Sequence, residues 1–465
     1  MKLLLALLFV FGLALLTSAD ETVVTNKCPP LLHSHLVNFT VDPSAVQNIR
    51  FTGWRMSLKV DYTDSDQIVA KIFIKNSVIE FQNFVVDVEG DKTLVFDLFE
   101  DYYTSNHTCC IPTIHLSLPK GVMFQNFEWN TAWAVPYSTD MYIHNELWSE
   151  FSNINAKSMS VKTRLGDFKF DNIITSNLDL SNDNGDNMFT SAFTTKKIQA
   201  KSMIGDFQFD NTPFSVWLNL ENGDLTVKDI TNDFYVSLSL GDVKVQSIAT
   251  QATFKLENGD FTVSQFTSGF SISSSLGNAT FGDNSCPSCA LWVTLENGNF
   301  NYKNLEVQSV TAKIFQGNFR GNYLTASSGT VTLQNGYFLS DTASIQKFFV
   351  EIFMGDMEVR HLMKGSEFSG TSENGDLIIK ILEGSVNFKS RFGGAYVAIG
   401  SQYSGTFSLY MDDAPDWGSV QLNNYSQSAT VTSKTEKSIV GYIKDKNGEG
   451  YCSLTGHQSN VILDA

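Results

Sequence analysis

The chain has 465 residues, of which 42% are hydrophobic and 17% are charged, and its formal net charge at pH 7 is −17. This acidic excess disfavours nucleic acids and anionic membranes as partners, because both are bound through basic patches. The chain contains only 9 prolines and no low-complexity linker, so we expect one continuous body rather than independent domains.

Residues 1–19 have the order of a secretory signal peptide. Lys2 precedes an apolar run at 3–16, and small residues at 17–19 supply a cleavage site after Ala19. The run is shorter than the about 20 apolar residues that a spanning helix needs. The polar segment 456–465 also lacks the hydrophobic stretch of a lipid-anchor signal. We therefore predict a secreted or cell-surface protein without a transmembrane anchor.

An oxidising compartment makes the cysteines disulfide candidates. Cys286 and Cys289 could close a local loop, and we favour this over a zinc or redox site because no second pair stands at ligand spacing. Four Asn-x-Ser/Thr sequons predict glycosylation in a eukaryotic host. The disulfide candidates are Cys28, Cys109, Cys110, Cys286, Cys289 and Cys452, and the glycosylation candidates are Asn38, Asn106, Asn278 and Asn424.

Residues 20–155 predict an irregular β-rich N-terminal cap. They are strand-rich but lack the regular glycine spacing that follows them in the chain. The pair His33 and His35 has a spacing found in metal sites, yet no further ligand cluster stands at a fixed distance. We therefore predict neither a metal site nor a cofactor.

Residues 156–395 contain a tandem repeat with a glycine every 18 to 21 residues. On both sides of each glycine, apolar residues alternate with polar ones, as in Leu218, Leu220, Leu225 and Val227. This period of two predicts two half-buried strands that meet at a glycine corner. The corner glycines are Gly166, Gly185, Gly205, Gly223, Gly241, Gly259, Gly277, Gly298, Gly317, Gly336, Gly355, Gly375 and, more weakly, Gly394.

Repeats this short cannot bury an apolar face alone, so stacking must supply the core. We predict an all-β protein, an elongated β-solenoid. The alternative is a series of β-hairpins forming a sandwich or barrel, because Asn-Gly between strands is also a hairpin signal. Asn-Gly corners such as Asn222 alternate with corners that have a bulkier residue before the glycine, such as Leu240. This alternation is simplest if one coil takes two repeats, so that like corners stack on each other.

Residues 396–465 predict a β-rich C-terminal cap. They are polar and lack a clear spacing until Gly441-Tyr442 and the apolar run 461–463. A solenoid needs such a cap at each end, because its last coil would otherwise expose the core.

The repeat resembles the DUF4097 family of adhesin-type β-repeat domains, which are secreted or surface proteins built from strand, Gly-Asp and strand. The matching stretches are 163–168, 220–225 and 256–261, together with the strand and proline at 113–119 and the closing segment 441–443. The resemblance implies a β-repeat fold and an adhesive role. The family has no agreed catalytic residues, so it implies no catalytic site.

An aspartate follows most corner glycines. We expect its side chain to bond its own backbone and close the turn. Calcium bound between corners is the weaker alternative, because asparagines replace aspartates at later corners and are poorer calcium ligands. The residues of this calcium alternative are Asp167, Asp206, Asp224, Asp242 and Asp260.

We predict a structural or adhesive protein without catalytic activity, which presents a rigid β-repeat surface to extracellular glycans or proteins. The alternative is a polysaccharide-degrading enzyme on a β-solenoid, which would need paired carboxylates. Asp412, Asp413 and Asp416 lie outside the regular repeat and are the candidates for such a pair. Neither a Gly-x-Ser-x-Gly motif nor a basic residue beside these aspartates supports catalysis.

Overall fold

The structure is a computed structural model, and it describes residues 34–52, 57–75, 84–98, 113–131, 149–152, 154–164, 166–190, 195–412, 418–423, 429–458 and 460–465. These residues form 37 strands and one short 3-10 turn at Pro43–Ala45. No helix among the described residues is long and apolar enough to cross a membrane. The protein is an all-β solenoid, as predicted.

Nine strands precede the repeat region: β1 Ser34–Val41, β2 Asn48–Thr52, β3 Ser57–Thr63, β4 Ile68–Lys75, β5 Phe84–Glu89, β6 Thr93–Leu98, β7 Thr113–Pro119, β8 Phe124–Thr131 and β9 Ser149–Ser152. The repeat region begins with β10 Asn155–Thr163, β11 Phe168–Asp171, β12 Ile174–Asn184, β13 Asn187–Phe189, β14 Lys197–Ile204, β15 Phe207–Phe209, β16 Ser215–Asn222, β17 Leu225–Ile230, β18 Phe234–Leu240 and β19 Val243–Ile248. It continues with β20 Ala252–Asn258, β21 Phe261–Phe266, β22 Phe270–Leu276, β23 Ala279–Asn297, β24 Phe300–Gln316, β25 Phe319–Asn335, β26 Phe338–Met354, β27 Met357–Leu362, β28 Glu367–Asn374, β29 Leu377–Leu382, β30 Ser385–Ser390 and β31 Ala395–Ile399. The last strands are β32 Gly405–Met411, β33 Val420–Asn423, β34 Ala429–Lys434, β35 Ser438–Ile443, β36 Gly450–Gly456 and β37 Val461–Asp464.

Two parallel sheets run the length of the repeat region. The strands before each corner glycine stack as sheet A, in which β16 pairs with β14 and with β18. The strands after each glycine stack as sheet B, in which β17 pairs with β15 and with β19. Strands β23 to β26 each run without a break from sheet B of one coil into sheet A of the next.

One repeat makes one coil, so the expectation of two repeats per coil is wrong. Asn222 pairs with Ile204 on one side and with Leu240 on the other, which stacks Asn-Gly corners directly on apolar-Gly corners. The residue before the glycine is exposed at most of the described corners, including Asn222 and Leu240, and therefore needs no like neighbour for packing. Glu221 precedes Asn222 while Ser239 precedes Leu240. Because the two kinds of corner alternate, the glutamates that precede Asn-Gly corners lie two coils apart, which reduces the repulsion of like charges on paired strands.

The corner glycines are required by the close approach of successive coils. A Cβ placed on Gly241 would lie 2.1 Å from the carbonyl oxygen of Gly223, and the φ of Gly241 is +136°. Both the contact and the backbone angle exclude a side chain at this position. The last corner glycine is Gly393, which stacks on Gly375, whereas the sequence pattern had indicated Gly394. Gly394 instead occupies the position that aspartate fills in earlier coils.

The core lies between the two sheets and follows the predicted alternation. Leu218 and Leu220 of sheet A and Leu225 and Val227 of sheet B are all buried. The phenylalanines that follow the corners stack from coil to coil, as in Phe300 on Phe319 with ring centroids 4.6 Å apart. They therefore pack in the core, as the alternation predicted.

The N-terminal strands continue the solenoid and then close it. Strands β8 and β2 extend sheet A beyond β10, and β6 is the last parallel strand of that sheet. Strands β9, β3 and β7 extend sheet B in the same way. Antiparallel strands follow, with β5 on β6 and with β4 on β7. The change from parallel to antiparallel pairing ends the stack of coils.

The C-terminal end is closed by a strand pair inserted out of chain order. Strands β36 and β37 stack on β30 and β31, and β32 and β33 then stack on β36 and β37. Strand β35 pairs antiparallel with β32 and with β34. The final segment of the described chain is therefore an internal coil.

Candidate binding surface

The aspartates after the corner glycines form a ladder of hydrogen bonds between coils. The Oδ1 atom of Asp206 accepts the backbone N–H of Asp224 at 2.7 Å, and Oδ1 of Asp224 accepts that of Asp242 at 2.8 Å. The same bond joins Asn278 to Asn299 at 2.9 Å. Each carboxylate or amide thus caps the next coil, and the expectation that it bonds its own turn is wrong. The stacking geometry explains this, because the next coil's N–H points at the side chain.

The ladder is interrupted at Tyr337. Its backbone N–H donates to Asn318 Oδ1 at 2.9 Å, but a tyrosine ring has no acceptor at the position of a carboxylate.

The calcium alternative stays a prediction, since the ladder geometry explains the aspartates without a metal and does not test one. Within the ranges that the structure describes, no three His, Cys, Asp or Glu side chains are grouped so that they could hold a metal ion.

The cysteines divide into three groups. Cys286 and Cys289 form a disulfide with their Cα atoms 5.3 Å apart, in the local loop that the sequence suggested. Cys452 is instead a free, buried thiol, because it faces the core of β36 between Val386 and Phe407. Burial raises the pKa of this thiol. The candidates Cys28, Cys109 and Cys110 lie outside the described residues.

Two of the four sequon asparagines can be placed. Asn38 is exposed on β1, where a glycan would meet solvent. The Nδ2 atom of Asn278, to which a glycan would be attached, donates to Asp260 Oδ1 at 3.2 Å within the ladder. Asn106 and Asn424 lie outside the described residues, as does His33. For His35 the structure describes only the backbone, in β1.

The carboxylates proposed for the enzyme alternative are only partly placed. Asp412 is exposed after β32, and its backbone N–H donates to Gly456 O at 2.9 Å. Asp413 and Asp416 lie outside the described residues. Elsewhere, hydrogen bonds from Lys380 and Arg360 lower the pKa of Glu358. That direction is opposite to the raised pKa that a general acid needs.

The outer surface of sheet A carries two neighbouring rows of outward side chains over eight successive coils. We call these two rows the lysine–aromatic strip. The first row is Gln199, Trp217, Tyr235, Thr253, Ser271, Trp292, Thr311 and Thr330, and the second is Lys201, Asn219, Ser237, Lys255, Ser273, Thr294, Lys313 and Thr332.

Large aromatic side chains of the strip are left exposed. Trp217 is 40% exposed and Trp292 is 51% exposed. The ammonium group of Lys197 lies 4.4 Å from the ring centroid of Trp217, and that of Lys255 lies 5.5 Å from that of Tyr235. These cation–π contacts hold two lysine side chains against the sheet. The first row also contains serine and threonine hydroxyls, which can donate and accept hydrogen bonds.

The strip contains no acidic residue, although the chain as a whole has a net charge of −17. Its three lysines, Lys201, Lys255 and Lys313, contact no carboxylate of the described residues. Sheet B differs, because several of its outward cations lie beside acids, including Lys303 with Asp283 and Lys380 with Glu358.

The strip was not predicted from the sequence, because its residues occupy the outward positions and not the inward positions that build the core. The signal was present in the sequence: positions four and six before each corner glycine give the two rows directly. Reading these outward positions across coils requires knowing that one repeat makes one coil, and the structure supplies that fact.

The repeat fold agrees with a comparison against protein families. The model described as Toastrack DUF4097 matches residues 113–280, from β7 to the start of β23. Residues 113–280 form a Toastrack domain of the DUF4097 family. The resemblance seen in the sequence is thereby confirmed, and the Toastrack domain includes the part of the strip that runs from Gln199 to Ser273. No curated protein matches the chain.

Three solved structures are similar to the chain at low sequence identity. A candidate cell adhesion protein from Clostridium sporogenes is 7% identical, with 93% of this chain and 99% of that chain covered and a TM-score of 0.17. A candidate lipid-binding protein from Parabacteroides distasonis is 10% identical, with 76% and 96% covered and a TM-score of 0.17. A candidate adhesin from the same organism is 12% identical, with 68% and 97% covered and a TM-score of 0.20. TM-scores this low carry no argument about function.

Proposed function

We propose that this protein is a secreted or cell-surface adhesive protein without catalytic activity, which binds an extracellular glycan or protein along the outer face of sheet A. The observation that carries the proposal is the exposure of Trp217 and Trp292 on a continuous two-sheet solenoid. Large aromatic side chains supply much of the binding energy in protein interfaces and prefer to be buried there. Two such side chains on one acid-free strip support a partner that covers them.

Rigidity supports the same proposal. Successive coils are joined by parallel backbone pairing in both sheets and by the aspartate ladder at the corner. A surface that is already ordered loses little conformational entropy when a ligand binds. Secretion is supported by the signal-peptide pattern at residues 1–19 and by the disulfide between Cys286 and Cys289, because disulfides persist mainly in oxidising compartments.

The experiment incubates purified mature protein with a panel of insoluble cell-wall polysaccharides and matrix proteins, and it scores both retention and released sugar. We expect retention on at least one material without release of sugar. Replacing Trp217 and Trp292 by alanine should reduce retention at least tenfold, since aromatic anchors at interfaces each contribute about 2 kcal/mol or more. Tyr323→Ala is the matched control, because Tyr323 is 56% exposed on the sheet B side. Released sugar would contradict the absence of catalysis, and absence of retention on every material would contradict adhesion.

A further inference from the structure

We infer that the lysine–aromatic strip binds an acidic polysaccharide whose strand runs along the solenoid axis. The inference rests on the proposed function, because it assigns a ligand class to the same face. It is carried by three features of the strip: its charge, the spacing of its cations, and the side chains that lie between them.

The charge of the strip is opposite to that of the whole protein. Over eight coils its two rows present Lys201, Lys255 and Lys313 and no carboxylate, within a chain whose net charge is −17. Asp179 continues the first row before Gln199, and Glu351 continues the second row after Thr332, so acidic residues border the strip at both ends. Cations with no carboxylate among them are complementary to an anionic ligand, and such complementarity steers the encounter and fixes the register.

The three lysines are evenly spaced. Lys201 and Lys255 are three coils apart, and so are Lys255 and Lys313. Neighbouring strands lie ~4.8 Å apart, so the cations recur about every 14 Å along the axis. This spacing suits a polymer whose anionic groups recur along a regular strand. Nucleic acid is also a regular polyanion, with a phosphate about every 3.4 Å along each strand, so DNA is one of the probes in the experiment below.

The side chains between the lysines suit sugars better than an acidic protein. Asn219, Ser237 and Ser273 offer amide and hydroxyl groups to sugar hydroxyls, and the open ring of Trp292 can pack on the apolar face of a pyranose. A flat strip with few apolar side chains other than its aromatic rings lacks the continuous hydrophobic centre of a protein interface.

Acidic residues on the corner side of the strip confine the ligand. Glu221, Glu257 and Glu296 are exposed in the next outward row of the same strands. They lie two residues along the strand from the second row, which is about 7 Å. An anionic strand is therefore repelled from the corner edge and held over the lysines.

The experiment measures binding of the full mature protein to soluble probes at several salt concentrations. The probes are polygalacturonate as the carboxylated glycan, heparin as the sulfated glycan, dextran as the neutral glycan, and double-stranded DNA. The test variant replaces Lys201, Lys255 and Lys313 by glutamine. The matched control replaces Lys228, Lys244 and Lys303 of sheet B by glutamine, which changes the net charge by the same amount.

We expect salt-sensitive binding of an acidic glycan that the sheet A variant weakens by about tenfold or more, since each exposed ion pair contributes roughly two- to fivefold. The sheet B variant should bind within about twofold of the unmodified protein. Whether polygalacturonate or heparin binds more tightly identifies the anionic group. Equal weakening by both variants, or equal binding of DNA, would overturn the inference by showing non-specific attraction.

Two outcomes separate the inference from the proposed function. Retention on neutral polysaccharide or on a matrix protein, unaffected by the sheet A lysine variant, would overturn the acidic-glycan inference and leave adhesion intact. Retention on nothing at all would overturn both.

Discussion

The glycine edge and the outer face of sheet A belong to the same coils, yet different constraints fix their residues. At the edge, a Cβ on Gly241 would meet the carbonyl oxygen of Gly223 at 2.1 Å, and the same close approach recurs at the other stacked corner glycines. On the face, Trp292 is 51% exposed and its neighbour Ser271 is half-buried, so the coil accepts either residue. The comparison teaches that the repeated positions specify the solenoid, whereas the unrepeated outward positions are free to carry binding.

The largest loss of stability is expected at the glycine edge. Gly241→Ala adds a methyl group against Gly223 O and forces an alanine to φ +136°, so we expect roughly 2–6 kcal/mol of destabilisation. Chemical denaturation followed by circular dichroism measures the effect. Gly365→Ala is the control, because Gly365 has φ +80° but no atom within 4 Å of its Cβ position. If both substitutions cost the same, close packing of the coils is not what requires glycine at the edge.

Substitutions in the core are expected to reduce stability nearly as much as substitutions at the glycine edge. Phe319 is fully buried, with its ring 4.6 Å from that of Phe300 and 5.3 Å from that of Phe338. Phe319→Ala should destabilise the protein by about 3–5 kcal/mol. Phe315 is 50% exposed on the outer side of sheet A, so Phe315→Ala should change stability by less than about 1 kcal/mol. Equal losses in the two variants would show that the inward and outward positions have been assigned wrongly.

Each hydrogen bond of the aspartate ladder is expected to contribute less to stability than a corner glycine or a core phenylalanine. Asp224→Ala removes the acceptor for the backbone N–H of Asp242, so we expect a loss of about 1 kcal/mol. Asp224→Asn should stay within about 0.5 kcal/mol of the unmodified protein, because an amide oxygen makes the same bond from Asn278 to Asn299. Thermal unfolding of the two variants separates the hydrogen bond from the charge. A larger loss with asparagine than with alanine would contradict the capping role.

The smallest effect is expected from removal of metal ions. The ladder carboxylates each bond a backbone N–H of the next coil, as Asp206 does at 2.7 Å. Addition of EDTA should therefore leave the melting temperature unchanged. A melting temperature lowered by many degrees would favour calcium between the corners, because an ion that binds only the folded state stabilises that state.

The sequence predicted the corners and the core because both depend on local rules that every repeat obeys. Period-two alternation placed Leu218 and Val227 inward, and the glycine spacing located the corners. The number of repeats per coil was predicted wrongly, because the alternation of Asn222 with Leu240 concerns outward residues that do not control stacking. The insertion of β36 and β37 beneath β32 and β33 could not be predicted, since strand order in a sheet depends on tertiary contacts.

The candidate site was less accessible to sequence reasoning. The rows of the lysine–aromatic strip follow from the outward positions only once the register between coils is known. Lys255 and Tyr235, for example, are twenty residues apart in the chain and 5.5 Å apart from ammonium to ring centroid. Contacts of this kind arise from stacking, which the spacing of the glycines suggests but does not fix.

The most direct test of the central claim compares retention and stability in the same two variants. One variant replaces Trp217 and Trp292 by alanine on the face, and the other replaces Asp224 by alanine at the edge. We predict that the face variant loses retention while it remains folded, whereas the edge variant melts earlier and, while folded, is retained as the unmodified protein is. Unchanged retention of the face variant, or lost retention of a folded edge variant, would contradict the assignment of binding to the outer face of sheet A.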